Sequence, residues 1–132
     1  MNTQIIKKLI NEAKKARKGS YSPYSKYAVG AALITDNGKI YTGANVENAS
    51  FGLTICAERS AIFKAVNDGA KKIKAIAVVA EGDNLPSPCG ACRQVIAEFS
   101  TKDTTVIFAN TKDEKKIKKI FELLPYMFVF KK

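Results

Sequence analysis

The chain contains no histidine. That absence excludes Ser-His-Asp and Cys-His nucleophile pairs, histidine general bases and every metal site that needs an imidazole. Cysteine is scarce as well. Three cysteines cannot all pair within one chain, which argues against a disulfide-stapled secreted scaffold. Long apolar runs are also missing. The first helix-like stretch, Asn2 to Lys18, alternates apolar residues with lysines, so it reads as neither a membrane span nor a signal peptide. A cytoplasmic location is the resulting expectation. No internal repeat, low-complexity tract or interdomain linker is present, and 132 residues at 46% hydrophobic content suit one core, so residues 1–132 are expected to form a single domain.

What is abundant is positive charge. Twenty-two lysines and arginines face twelve acids, a formal net charge of +10. Such a balance permits nucleic acid as a partner without establishing it. The lysines gather in two places, Lys7 to Lys18 and Lys112 to Lys119. No aromatic residues interleave with them as a stacking platform would require, so solvated helical faces are the expectation for both.

The apolar pattern gives a coarse architecture. Ile5, Ile6, Leu9, Ile10, Ala13 and Ala16 recur at helical spacing, with Gly19 placed to end that helix. Tyr21-Ser22-Pro23-Tyr24-Ser25 is a turn-rich connector. Ala28 to Thr35 is strand-like, and Asp36-Asn37-Gly38 reads as a hairpin turn into Lys39 to Gly43. Ala57, Ala61, Ile62, Ala65 and Val66 mark one face of a second helix, closed by Gly69. Ala75 to Ala80 shows no polar alternation and reads as a strand covered on both faces. A helix carrying Val95, Ile96 and Phe99 follows, then a buried strand over Thr104 to Ala109. Lys112 to Leu124 reads as helical towards its end, where Pro125 stops it. Strands alternating with helices predict an α/β domain with a mixed sheet, a hairpin edge followed by βαβ units.

The cysteines are not scattered across this plan. Cys56 opens one predicted helix as Cys56-Ala57-Glu58-Arg59, and Cys89 and Cys92 open another as Pro88-Cys89-Gly90-Ala91-Cys92-Arg93. Residues three apart on a helix share a face, so Cys89 and Cys92 can reach one ion. Both helix starts can meet at one edge of the sheet, where open α/β sheets place ligands. Free backbone N–H groups and the positive end of each helix dipole favour thiolates there, and Arg59 and Arg93 are expected to add local positive charge. Sulfur suits zinc, which is normally four-coordinate. Three thiolates without histidine leave the fourth position for water, as a catalytic site requires. Glu58 is the natural group to move protons beside it.

Cys56-Ala57-Glu58 with Pro88-Cys89-Gly90-Ala91-Cys92 resembles the zinc-dependent cytidine deaminase superfamily, whose chemistry and signature are well characterised. Tyr21 to Leu33, Asn45-Val46-Glu47-Asn48-Ala49-Ser50, Cys89 to Gln94 and Leu123-Leu124-Pro125 extend the likeness to the short, homotetrameric type. The resemblance implies a three-layer αβα cytidine deaminase-like fold with a mixed sheet of about five strands. It implies one Zn²⁺ per subunit on Cys56, Cys89 and Cys92, and hydrolytic deamination of cytidine and deoxycytidine in pyrimidine salvage. Hydroxide generated at the zinc would attack C4, with Glu58 shuttling a proton to N3.

Asn45 and Glu47 match the pair that holds the ribose hydroxyls, while Ala57 and Cys89 would meet the base edge through their backbone. Tyr27 falls where the family carries an aromatic that packs on the base. Phe128 matches an aromatic supplied by a neighbouring subunit in a homotetramer with shared active sites. Arg59 would hydrogen-bond the thiolates, withdrawing charge from a zinc that three thiolates make a poorer Lewis acid. Phe51 would support the site as a core or interface aromatic. No membrane partner is implied. The apolar tail Tyr126 to Lys132 is short and resembles that of blasticidin-type deaminases, which share the zinc motifs but lack a segment like Asn45 to Asn48. A zinc-stabilised nucleic-acid-binding module is the rival from another class; it would have no use for Glu58.

Overall fold

A computed structural model describes residues 1–130; Lys131 and Lys132, the end of the apolar tail, lie outside the described residues. The first helix, α1 (Thr3–Ala16), is capped by the Asn2 side chain, which accepts from the Gln4 N–H at 2.7 Å. Lys14 and Lys15 in its last turn complement the helix dipole. Ile6, Leu9, Ile10 and Ala13 form its buried stripe, and a short 3₁₀ turn, Arg17–Gly19, ends it.

The sheet has five strands: β1 (Val29–Thr35), β2 (Ile40–Ala44), β3 (Ile73–Ala80), β4 (Ser100–Asn110) and β5 (Lys115–Lys119). Their order is β2-β1-β3-β4-β5, with β3 and β4 parallel and the other neighbours antiparallel. Gly38, at φ 87°, takes the left-handed conformation of the β1–β2 turn. Period-two alternation divides the sheet residues between two layers. Ala32, Ile34, Ala75, Ala77, Val79, Ile107 and Ala109 meet α1. On the opposite face, Ala31, Leu33, Ile76, Val106 and Phe108 pack on helices α2 (Ala57–Asn67) and α3 (Gly90–Glu98) and on a single turn, α4 (Ile120–Leu123). The three-layer αβα architecture with a mixed sheet is as expected. Central β3 is covered on both faces, which is why its sequence shows no polar alternation.

One element differs from expectation. The lysine run Lys115–Lys119 is strand, not helix; only Ile120–Leu123 beyond it is helical. Pairing with β4, with Val106 opposite Lys118 and Phe108 opposite Lys116, satisfies its backbone, so propensity does not decide its conformation. Lysines along an exposed edge also discourage pairing with another chain.

Two crossovers place the functional end. Since β1 is antiparallel to both β2 and β3, the strands β2, β3 and β4 all run the same way. Helices α2 and α3 therefore begin beyond the carboxyl ends of β2 and β3, at one edge of the sheet.

Candidate active site and metal centre

Cys56 is the N-cap of α2 and Cys89 the N-cap of α3; both have extended backbones and neither uses its side chain to cap. Cys92 lies in the first turn of α3 and is buried, whereas Cys56 is half-buried and Cys89 exposed. The three Sγ atoms lie within 4.8 Å of one another. Zn–S bonds of about 2.3 Å at tetrahedral angles separate sulfurs by about 3.8 Å, so this donor set fits one zinc ion after small adjustment. No carboxylate or imidazole joins the cluster among the described residues, so a tetrahedral ion held there keeps its fourth position for a small ligand.

Helix α2 reaches this place because β2 lets it press close. A Cβ at Gly43 would stand 2.5 Å from the Ala61 nitrogen and 2.9 Å from the Ala57 carbonyl oxygen. Only glycine admits the first turn of α2, with Glu58 and Arg59, at that separation. The thiols are electrically linked. A hydrogen bond with Cys92 holds the Cys56 thiol well below its ordinary range, with Arg59 assisting; the same bond and burial push Cys92 up. Arg59 Nη2 donates to Cys56 Sγ at 3.5 Å, and its Nε is buried without a partner among the described residues. Arg59, expected to hydrogen-bond the thiolates, thus donates to the sulfur of Cys56.

Arg93 behaves differently. Its Nε donates to the Pro88 carbonyl at 2.7 Å, Nη1 to the Leu123 carbonyl at 2.7 Å and Nη2 to Ser87 Oγ at 2.8 Å. Its charge lies one residue from Cys92, but neutral oxygens occupy its planar fork, so it also ties chain segments together.

Glu58 is 4% exposed, and burial raises its pKa to about 7, with the Cys56 charge adding to the effect. Such a carboxyl can exchange protons near neutral pH. It lines a cavity of about 360 Å³ with Cys56, Cys89, Ala57, Tyr27, Asn45 and Glu47. Seven of the expected site residues thus converge on one concavity, and Cys92 joins two of them through the sulfur cluster.

On the loop side of the cavity, residues hold one another. Asn45 Oδ1 accepts from the Val29 N–H at 3.0 Å and from Ser20 Oγ at 2.5 Å, while its Nδ2 donates to the Tyr27 carbonyl at 2.8 Å. Glu47 accepts from the N–H groups of Tyr24 at 3.0 Å and Ser25 at 3.1 Å, and from the Ser25 hydroxyl. The Ser25 hydroxyl bond leads in holding the Glu47 carboxyl below its usual range, so it is anionic at neutral pH.

Phe51 and Phe128 are not brought to the cavity within one chain. Phe51 is 68% exposed and packs edge-on against Tyr24, with ring centres 6.0 Å apart. Phe128 is 70% exposed, and its carbonyl accepts from Gln94 Nε2 at 3.2 Å. Ser25, Thr54 and Ser87 line the cavity but were not singled out from sequence. Ser25 stood in plain view within Tyr21 to Tyr27, but its spacing from Glu47 carries no periodic signal.

Cysteines at two helix starts and a buried, proton-exchanging carboxyl beside them, at the carboxyl edge of an α/β sheet, define a metal-dependent hydrolytic enzyme. The comparisons narrow that class. The family model for the cytidine and deoxycytidylate deaminase zinc-binding region matches residues 3–109. A cytidine deaminase of Sporosarcina psychrophila is 51% identical over 123 residues, covering 93% of this chain and 90% of its own length. The crystal structure of cytidine deaminase from Burkholderia pseudomallei superposes with a TM-score of 0.89 at 44% identity, covering 97% of this chain and 100% of that one. That of Mycobacterium tuberculosis gives 0.83 at 35% identity, covering 95% and 98%. The chain belongs to the cytidine and deoxycytidylate deaminase family.

Proposed function

We propose that this protein hydrolyses cytidine and deoxycytidine to uridine and deoxyuridine with release of ammonia, acting in pyrimidine salvage in the cytoplasm, with residues 1–132 as one deaminase domain. The observation that carries the reading is the single cavity that joins Cys56, Cys89 and Glu58 to Asn45 and Glu47. Cys56, Cys89 and Cys92 are the metal ligands. Zinc held by them supplies a Lewis acid that makes water nucleophilic near neutral pH. Glu58 takes a proton from the attacking water and delivers it to the pyrimidine N3. Water adds at C4 as N3 gains its proton; the remaining hydroxyl proton then passes to the C4 amino group, the C4–N bond breaks, and a C4 carbonyl and ammonia are left, so atoms balance. The backbone of Ala57 and Cys89 meets the base edge, and Tyr27 packs on the base.

Asn45 and Glu47 hold the ribose hydroxyls. An anionic Glu47 beside the sugar repels phosphate, which favours free nucleosides over nucleotides. The exposed aromatics Tyr24, Phe51, Phe128 and Phe130 support assembly into a homotetramer, with Phe128 completing a neighbour's site.

Purified protein is expected to contain one zinc per chain and to lower the ultraviolet absorbance of cytidine and deoxycytidine, but not of blasticidin S or oligonucleotides. Bound zinc with no turnover of any of these sinks the enzyme reading, and a salt-sensitive gel shift in its place would favour a binding module. An active monomer by light scattering would remove the shared-site part.

A further inference from the structure

The three cysteines differ in what holds them. Cys92 is fixed inside α3 and buried; Cys56 is held where α2 presses on Gly43. Cys89 is exposed and stands at the end of residues 81–89, a segment that forms neither helix nor strand. That segment also supplies Pro86 and Ser87 to the cavity wall. A proline at position 88 has no N–H to anchor the chain just before Cys89. The anchoring comes from the acceptor side. From one guanidinium, Arg93 donates to the Pro88 carbonyl at 2.7 Å, to Ser87 Oγ at 2.8 Å and to the Leu123 carbonyl at 2.7 Å.

We infer that Arg93 is a positioning residue for the metal centre: its fork fixes the segment that carries Cys89 and ties it to the end of α4, where the C-terminal tail begins. The inference rests on the reading of Cys89 as a zinc ligand. Several features single out this residue. Leu123 lies in the last turn of α4, where carbonyls lack intrahelical partners, so the bond satisfies an orphan acceptor. The three acceptors lie around one planar group with fixed donor directions, a demand arginine meets and lysine does not. Arg93 follows Cys92 directly, so the helix that fixes one ligand also carries the strap that aims the other. Partners that orient metal ligands without touching the metal change metal affinity by about 10- to 100-fold when removed.

The test is the rate at which the zinc-loaded protein gives up its metal to a chromogenic chelator, read beside thermal stability and the cobalt(II) thiolate absorption bands. Arg93→Ala is expected to release zinc about tenfold faster or more, with altered cobalt bands, and added guanidinium ion should slow the release again. Arg93→Lys should remain clearly faster than wild type. Unchanged release and unchanged cobalt bands in an Arg93→Ala protein that merely melts lower would overturn the inference. Should Arg93→Ala fail to fold, Ser87→Ala and Arg93→Lys decide: faster release in either supports it, and wild-type release in both overturns it. Wild-type protein that takes up no zinc removes the ligand reading and this inference together, whereas unchanged release from zinc-loaded variants removes the inference alone.

Discussion

The two ends of the cavity are built on different principles. At the sulfur end, Cys56 and Cys89 cap two helices and Glu58 and Cys92 lie in their first turns, and the helices are themselves pressed onto the sheet through Ala57, Ala61, Ile62 and Ile96. Position there comes from packing and, at Cys89, from the Arg93 hydrogen bonds, and reactivity comes from burial and charge: Glu58 is raised by desolvation and Cys56 lowered by its hydrogen bonds. At the loop end, Asn45 and Glu47 sit outside any helix, and their side chains bond the loop that carries Tyr24, Ser25 and Tyr27. Position there comes from hydrogen bonds among the residues proposed to bind ligand. The contrast separates two kinds of control. A change at the first end should act on turnover, and a change at the second on binding.

The largest effect should come from Glu58→Gln, which keeps shape and volume but cannot carry the proton. Its kcat is expected to fall by at least about 10²-fold with zinc content unchanged. Steady-state kinetics with metal analysis checks this, and near wild-type kcat would break the assignment of proton transfer to the sulfur end. Arg59→Ala comes next, removing the donor to Cys56 Sγ. Turnover should fall by about 10-fold, with a small change in melting temperature. Equal activity with bound zinc would show that the helix ends alone compensate the thiolate charge.

The smallest effect is expected for Ser25→Ala, whose hydroxyl leads in lowering the Glu47 pKa. It should raise KM and leave kcat close to wild type. The pH dependence follows from the direction of the shift. A carboxyl held lower in the folded state than its ordinary 4.5 contributes stability above that value, which is lost as pH falls through the lower folded value. The melting-temperature gap between wild type and Ser25→Ala should therefore be widest near neutral pH and narrow below about pH 4.5. A gap independent of pH would mean the hydroxyl does not act through the Glu47 charge.

Much of this was readable beforehand, for identifiable reasons. The stripe of α1, the Asp36-Asn37-Gly38 turn and the unbroken apolar run of β3 each state their structure through local pattern, because packing on one face or two imposes a period. The cysteine spacing announced the metal centre, because three residues along a helix is one face. What escaped reading depended on partners distant in sequence. Lys115–Lys119 offers no strand pattern of its own and is a strand because β4 pairs with it. Arg93 carries the same charge as Arg59, but its acceptors include a carbonyl thirty residues away, which adds a mechanical role that its residue type does not announce. Ser25 bonds Glu47 across twenty-two residues, a relation no periodicity encodes.

Sequence by itself determined which chemistry is available: three thiolates without histidine, a carboxylate two residues from one of them, and alternating elements able to bring two helix starts together. Residue type and local spacing suffice for that, because donor identity and helical geometry are properties of short segments. Tertiary structure alone decided how those groups are held. It buried Glu58 until its proton became exchangeable near neutral pH, drew α2 onto Gly43, and sent Arg59 to sulfur but Arg93 to backbone oxygen. Burial, close approach and the choice of hydrogen-bond partner depend on what the rest of the chain places nearby.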